Sequence, residues 1–334
     1  MQRYLIAETS DAGSYERSDN YLCHITIRDA LTRATSTPSS VLITIRNPCG
    51  TALVTNQAMT SAGSGVYSYD YTIPAAAVYG RYEVEISTAT YTQRYITDFY
   101  VFPWDANNQV RRISGVGQNK SISDADLNQI IWDSYEEALA KCFRHHYDEK
   151  PECSCNLESC RCGSITCTGF DGVNTTFWTK TSDLADQNGD GSITGYGDSS
   201  CVTDVFMRWK DCSGVCHDGY VSVLDAECGK LKLTQDGTTA IPSSYNWVKL
   251  EYWTQSPDFK QRLLFKATNY LAAHEVLLRF GELERATAAD LVNAQNVKYV
   301  NPERMEKKYK KIMKKISVPK ASGVGGGIDP YEGE

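Results

Sequence analysis

The chain has 334 residues, 41% apolar and 22% charged, a composition that excludes a disordered polymer and is long enough for two or three cores. A formal net charge of −7 argues against a dedicated nucleic-acid binder, and no run of about 18 apolar residues is present to span a bilayer. Met1-Gln2-Arg3-Tyr4-Leu5-Ile6-Ala7-Glu8 has too brief an apolar run to read as an export signal, so the twelve cysteines are unexpectedly many.

Residues 1–104 contain no lysine and are rich in tyrosine and threonine. Tyr21, Cys23, Ile25 and Ile27 alternate with polar residues, as do Val41, Ile43 and Ile45. Asn47-Pro48-Cys49-Gly50 supplies a turn, and further strands are predicted at Gly65–Ile73, Gly80–Ser87 and Tyr91–Phe102. About seven short strands with regular turns predict a β-sandwich. Asn47-Pro48-x-Gly50, Gly65-Val66-Tyr67 and Gly80-Arg81-Tyr82-Glu83-Val84 resemble the Gly-x-Tyr strands of bacterial and viral immunoglobulin-like modules.

Residues 105–169 read as a linker, a helix and a cysteine-rich loop. Ser123 with Asp126 forms a capping box, and Leu127, Ile130, Ile131, Tyr135, Leu139 and Phe143 recur at helical spacing to about Tyr147. Residues 170–254 return to a strand pattern, a small β-module inserted between helices, with strands at Thr175–Lys180, Val202–Lys210, Gly219–Leu224, Gly229–Leu233 and Trp247–Trp253. In residues 255–300, Ser256-Pro257 starts a long helix whose apolar face runs from Phe259 through Leu263, Leu264, Ala267, Tyr270, Leu271, His274 and Leu277 to Leu278, with Gly281 as its stop. Thr287 with Asp290 caps a shorter helix. Residues 301–334 form a basic helix from Glu303 to about Ile316, then a glycine-rich tail.

Several constellations could carry chemistry. Cys153, Cys155, Cys160, Cys162 and Cys167, with Cys142, His145 and His146 just upstream, could hold zinc or form disulfides, and the spacing leaves both open. For Cys201, Cys212, Cys216 and Cys228, a Cys212–Cys216 bridge across a Ser-Gly turn is favoured over a metal site with His217. Asp186, Asn188 and Asp190 match the first half of a calcium-binding loop, with Asp198 one place late for the closing acid. A turn between strands is the favoured reading, and calcium the minority one. Lys307, Lys308, Lys310, Lys311, Lys314 and Lys315 form a basic face opposite Tyr309, Ile312 and Ile316, a pattern for docking on a partner. No phosphate-cradling loop, nucleophile elbow or His-Glu-x-x-His is present, so an enzyme is not expected.

From Ser123 onward the chain resembles the head–tail connector (adaptor) proteins of tailed viruses. The likeness rests on the helix at Asp126–Tyr147, the β excursion, the long helix carrying Leu271-Ala272-Ala273-His274-Glu275, the basic arm and the loose tail. It implies an α+β multidomain structural protein of the virion neck, assembled in the host cytoplasm as a homo-oligomeric, commonly dodecameric, ring. The portal, tail or stopper proteins and the DNA passing through the lumen would be its partners, and no membrane would be involved. An adhesion or capsid-decoration protein, or a metal-binding protein, are the alternatives.

Overall fold

The computed structural model describes residues 5–9, 13–29, 32–88, 91–116, 122–151, 170, 173–187, 189–198, 203–211, 213–242, 247–255, 259–288 and 302–318. It is mixed α+β, dominated by sheet, with four helices among these residues. The N-terminal strands are β1 (Leu5–Thr9), β2 (Ser14–Tyr15), β3 (Asn20–Asp29), β4 (Val41–Arg46), β5 (Ala52–Ala58), β6 (Thr60–Gly63), β7 (Val66–Thr72), β8 (Gly80–Thr88) and β9 (Tyr91–Val101). They form two sheets, β1-β3-β7-β6 and β2-β9-β8-β4-β5, antiparallel except for the β2–β9 pair. The alternation read from sequence faces inward: Tyr21, Cys23, Ile25 and Ile27 from one sheet meet Ile43, Ile45, Tyr82 and Val84 from the other. Thr44 is buried against the expected alternation because its hydroxyl accepts the Asn56 amide at 3.1 Å, where β5 is irregularly paired with β4. The turn after β4 closes as predicted, with Asn47 accepting the amides of Cys49 and Thr51 and Gly50 at φ +79°.

Strand β9 does not end in a linker. Its aromatic continuation, Tyr100, Phe102 and Trp104, enters the core of the helical part. Helix α1 (Ala106–Ser114), which the sequence reading passed over, follows directly and ends on Gly115 in the left-handed conformation at φ +77°. Helix α2 (Asp124–Ala140) begins as predicted, the Ser123 hydroxyl accepting the Asp126 amide at 3.1 Å. It stops earlier than predicted. The spacing of Phe143 continued the helical stripe, yet Phe143–Glu149 is strand β10, paired with the last strand of the β-module. Its β-favouring residues gain a sheet edge there, and tertiary pairing outweighs local periodicity.

That module comprises β10, β11 (Thr176–Trp178), β12 (Val205–Lys210), β13 (Cys216–Asp225), β14 (Lys230–Thr234) and β15 (Val248–Gln255) in the order β10-β15-β12-β13-β14-β11. Helix α3 (Gln261–Ala288) runs through Gly281, where about 1 kcal/mol of lost helix propensity is outweighed by the strong helix formers after it. Thr287 lies inside α3, while Ser256, Pro257 and the shorter helix expected at Asp290 fall outside the described residues. The buried stripe of α3 is rotated from the predicted one: Leu264, Ala267, Leu271, Ala272, Ala273 and Val276 are buried, and Leu278 is exposed. Helix α4 (Pro302–Ile316) folds back along α3. None of the described helices is long and apolar enough to cross a membrane.

Trp104 ties this arrangement together. Its indole stacks on Phe265 with centroids 4.4 Å apart, and its N–H donates to Asn269 Oδ1 at 3.0 Å inside the bundle. Asn269 in turn donates to Gln109 of α1 at 2.7 Å. Trp104→Ala is expected to cost about 3–5 kcal/mol through the cavity and the stranded amide, measured by guanidinium denaturation. Leu224→Ala, at an exposed position, is expected to change stability by less than about 0.5 kcal/mol in the same experiment.

Candidate functional site

The acidic loop 186–191 lies where the N-terminal sheets, α2 and the β-module meet. Asp186 bends the chain by accepting the amides of Asp190 at 3.1 Å and Gly191 at 2.7 Å. Asp190 accepts the Ser192 amide at 2.9 Å, and its backbone carbonyl leaves the module to accept from Arg17 at 3.2 Å and from the Tyr79 amide at 3.3 Å. The Arg17 guanidinium also donates to the Ala77 carbonyl at 2.7 Å and lies 3.8 Å over the Tyr79 ring.

Two glycines make this approach possible. Gly191 has φ +91°, and a Cβ there would sit 2.6 Å from the Arg17 guanidinium and 2.7 Å from the Tyr79 ring. Gly189 has φ +71°, and its Cβ would sit 2.7 Å from Tyr135 and 2.8 Å from Leu139 of α2. The turn reading of this segment therefore has a structural role the sequence did not reveal, namely joining three parts of the fold.

Of the four residues considered for calcium, Asp186 and Asp190 are brought together, Asn188 lies outside the described residues, and Asp198 is elsewhere, accepting from the Ser222 hydroxyl at 2.7 Å. The nearby acid that the sequence reading missed is Asp204, fully buried just before β12. It accepts the amides of Gln187 and Thr194, both at 2.9 Å, and so staples both ends of the loop. Its only sequence signal is position beside a strand, since it falls outside any loop consensus. Among the described residues, no group of three His, Cys, Asp or Glu side chains is arranged to hold a metal ion.

Burial, with repulsion from Asp186 and then Asp190, pushes the Asp204 carboxyl up to about 7. Burial, then the Asp190 charge, pushes Asp186 up to about 6, against the amides that favour its ionised form.

Beside this joint is a cavity of about 430 Å³ between the β4–β5 turn, β8 and α2. Its charged walls are mutually satisfied. Arg46 pairs with Glu83 at 3.2 Å and Glu85 at 3.0 Å, and Trp132 donates to Glu136 at 2.7 Å. Gly80, at φ +133°, lets Pro48 and Trp132 close over the wall, since a Cβ there would lie 2.9 Å from Pro48.

The cysteines divide. Cys153, Cys155, Cys160, Cys162 and Cys167 lie outside the described residues, as do Cys201 and Cys212. Cys49 and Cys228 are each half of a disulfide. Cys216 is an exposed thiol, so the expected Cys212–Cys216 bridge is not formed, and the β12–β13 turn is held instead by Asp211, which accepts the amides of Ser213 and Val215. His217 pairs with Asp211 at 2.9 Å and stacks on Trp209. Cys142 is a buried thiol whose Sγ donates to the Ala138 carbonyl, and burial pushes it up to about 12, which leaves it a poor metal ligand. His145 and His146 alternate to opposite faces of β10. His146 is held by Glu149 and Thr254 and stacked on Tyr252, while His145 lies against Trp253.

The apolar side of α4 is used inside the chain: Met305, Tyr309, Met313 and Ile316 are buried in the bundle, with Ile312 packed against it. Tyr309 and Ile316 are therefore covered by the chain's own helices and do not face a partner. Lys308 lies 4.8 Å over the Tyr270 ring, whereas Lys307, Lys310, Lys311, Lys314 and Lys315 are exposed.

No family model and no curated protein matches the chain. Among solved structures, the Lin-41 filamin domain is similar at 17% identity, covering 30% of this chain and 93% of that one, with a TM-score of 0.24. The M1 domain from titin covers 30% of this chain and 93% of its own at 10% identity and a TM-score of 0.21. Trypsin-activated alpha-2-macroglobulin from Escherichia coli covers 77% of this chain but only 16% of its own, at 9% identity and a TM-score of 0.26.

The raised carboxyls fix the sign of a pH effect. The fold favours their protonated forms, so their contribution is full below the ordinary value of 3.8 and is lost as pH rises through about 6 and 7. The melting temperature is expected to fall between about pH 4 and pH 7, and Asp204→Asn to flatten that fall, as read by calorimetry across the range. Gly191→Val is expected to destabilise by more than about 2 kcal/mol in the same assay, through the positive φ and the clash with Tyr79.

Proposed function

We propose that this chain is a structural subunit of a viral head–tail junction, a homo-oligomeric adaptor ring between the portal and the tail, and not an enzyme. The observation that supports this reading most is the arrangement around α3. A bundle of α1, α2, α3 and α4 carries a β-module between α2 and α3 and presents a row of exposed lysines along α4. The apolar side of that helix closes the bundle, which leaves electrostatics for docking on an acidic partner. The buried hub of Trp104 and the joint at Asp190 would hold the sandwich at a fixed angle to the bundle, as a subunit in a closed ring requires.

The N-terminal sandwich fits an immunoglobulin-like module in detail. Sheets β1-β3-β7-β6 and β2-β9-β8-β4-β5 follow the order of the immunoglobulin ABED and GFC sheets, with the short β2 parallel to β9. The Tyr82 hydroxyl donates back to the Val78 carbonyl at 2.9 Å, in the manner of a tyrosine corner. In the assembly this module is a peripheral contact surface. An adhesion or decoration role is the second reading, favoured by the exposed rings of Tyr147, Tyr196 and Tyr220 on the β-module.

Native mass spectrometry and electron microscopy of the purified full chain, alone and mixed with its portal, test this. Rings of one subunit number, commonly twelve, are expected. A monomer in both preparations contradicts the proposal. Exchanging Lys310, Lys311, Lys314 and Lys315 for Glu is expected to abolish portal co-sedimentation while leaving the bundle folded, and wild-type binding is expected to weaken as salt is raised.

A further inference from the structure

The β-module buries one face and leaves the other bare. Val205, Met207, Leu250 and Tyr252 point into the core, so their neighbours on β12 and β15 point outward. On that outer face the rings do not scatter. Each strand from β10 to β13 contributes to one continuous row running across the sheet, from Tyr147 and His145 through Trp253, Phe206 and Tyr196 to Tyr220.

His145 stacks on Trp253 with centroids 4.5 Å apart and planes 14° from parallel, and Tyr147 lies 6.1 Å beyond it. Trp253 meets Phe206 at 6.4 Å, Phe206 meets Tyr196 at 6.4 Å, and Tyr196 meets Tyr220 at 6.0 Å. The row crosses four inter-strand steps, about 19 Å at the usual sheet spacing. Tyr147, Tyr196 and Tyr220 are 57%, 39% and 40% exposed, large values for rings held in a sheet.

The row is also built, not incidental. Tyr196 reaches it because Gly195-Tyr196-Gly197 is wedged between β12 and β13 where their pairing has ended. The Tyr196 amide donates to Val205 at 2.9 Å, and its carbonyl accepts from Val221 at 2.8 Å. A Cβ on Gly195 would lie 2.1 Å from the Val221 carbonyl, and one on Gly197 would lie 2.0 Å from the Tyr220 ring. Only glycines on both sides let this tyrosine stand in the row.

The charges on the face decide what such a row would take. Arg208 stands between Asp218 at 3.9 Å and Glu251 at 4.0 Å, and Glu251 also bonds His145 at 3.0 Å. Lys249, in register with Arg208 on the same face, donates to the Asp148 carbonyl at 2.7 Å, so two cations stand with two acids and the face carries little net charge. A nucleic acid requires uncompensated cations along the strand. A membrane surface requires a basic rim, and a protein hot spot seats its aromatic anchors in a desolvated pocket, whereas this row lies on an open sheet face. Beyond the His145–Trp253 stack successive ring planes turn by 34° to 69°, and such a twisted row, flanked by paired hydrogen-bonding groups, suits a twisted ligand with apolar C–H faces and hydroxyl edges.

We propose that the outer face of β10, β15, β12 and β13 is a binding platform for a neutral linear oligosaccharide, its sugar rings lying along the aromatic row and its hydroxyls reaching Glu251, Arg208 and Asp218. This site does not depend on the ring assembly, and either can fail alone.

Affinity electrophoresis of the full chain in gels containing a soluble β-glucan, a galactomannan or a xylan tests it, with poly(dT) gel shift in parallel. At least one neutral polysaccharide is expected to retard the chain, and to do so still in about 0.5 M NaCl. Trp253→Ala and Tyr196→Ala are expected to weaken retardation on the order of tenfold, and Trp253→Phe to preserve most of it. Circular dichroism melts of each variant check that the fold is kept, and Tyr220→Ala serves if either alanine variant unfolds. No retardation by any of the three polymers, retardation unchanged in the folded alanine variants, or salt-sensitive binding of poly(dT) alone would overturn the proposal.

Discussion

The carbonyl of Asp190 is where three parts of this molecule depend on one another. A single acceptor takes the Arg17 guanidinium and the Tyr79 amide from the N-terminal sheets, while the loop that carries it rests on Tyr135 and Leu139 of α2. The loop can reach that point only because Asp186 and Asp204 fold it tightly, accepting two amides each. Crowding the carboxyls into a buried turn costs electrostatic energy, and both are pushed well above the ordinary aspartate range as a result. A strained joint of this kind is tolerated where the geometry it fixes matters more than the local energy.

A second coupling reinforces the first. The chain leaving β9 sinks Phe102 and Trp104 into the core of the helices, so the sandwich and the bundle share aromatic packing. Both anchors lie at the same end of the sandwich, where Gly80 and Tyr15 pair with Val101, one formed by apolar burial and the other by directed hydrogen bonds. Two anchors of different kinds restrict both sliding and rotation, which a flexible linker would permit. The outer face of the β-module is left uncovered by these contacts, and its rings stay available.

Much of this was legible in the residues. The period-two alternation of Tyr21–Ile27 and Val41–Ile45 places a buried face correctly because side-chain direction in a strand is fixed by geometry. The Ser123 cap likewise follows from local hydrogen bonding. What was missed depends on partners distant in sequence. Phe143–Glu149 carries a helical echo but pairs with Val248–Gln255, a hundred residues away. Helix α1 is short and mostly polar, its apolar stripe reduced to Ala106, Val110 and Ile113 beside a buried Arg111 that pairs with Asp124 beyond the helix, so its local signal is faint. The acidic loop matched a motif by type and spacing, yet its decisive neighbour, Asp204, comes from outside that motif. The aromatic row could not be read at all, since its rings come from four strands and the bridging segment at Tyr196, and only the sheet order aligns them.

The sandwich is fixed to the rest of the chain through the Asp190 joint. Native-state hydrogen exchange of the Tyr79 and Gly191 amides tests it most directly, because the first donates to Asp190 across the joint and the second to Asp186 within it. Both are expected to exchange as slowly as core amides of α2, and Arg17→Ala to accelerate them while leaving β3 and β8 protected. Exchange of the Tyr79 amide at the rate of an open chain, with the two parts still folded, would contradict it.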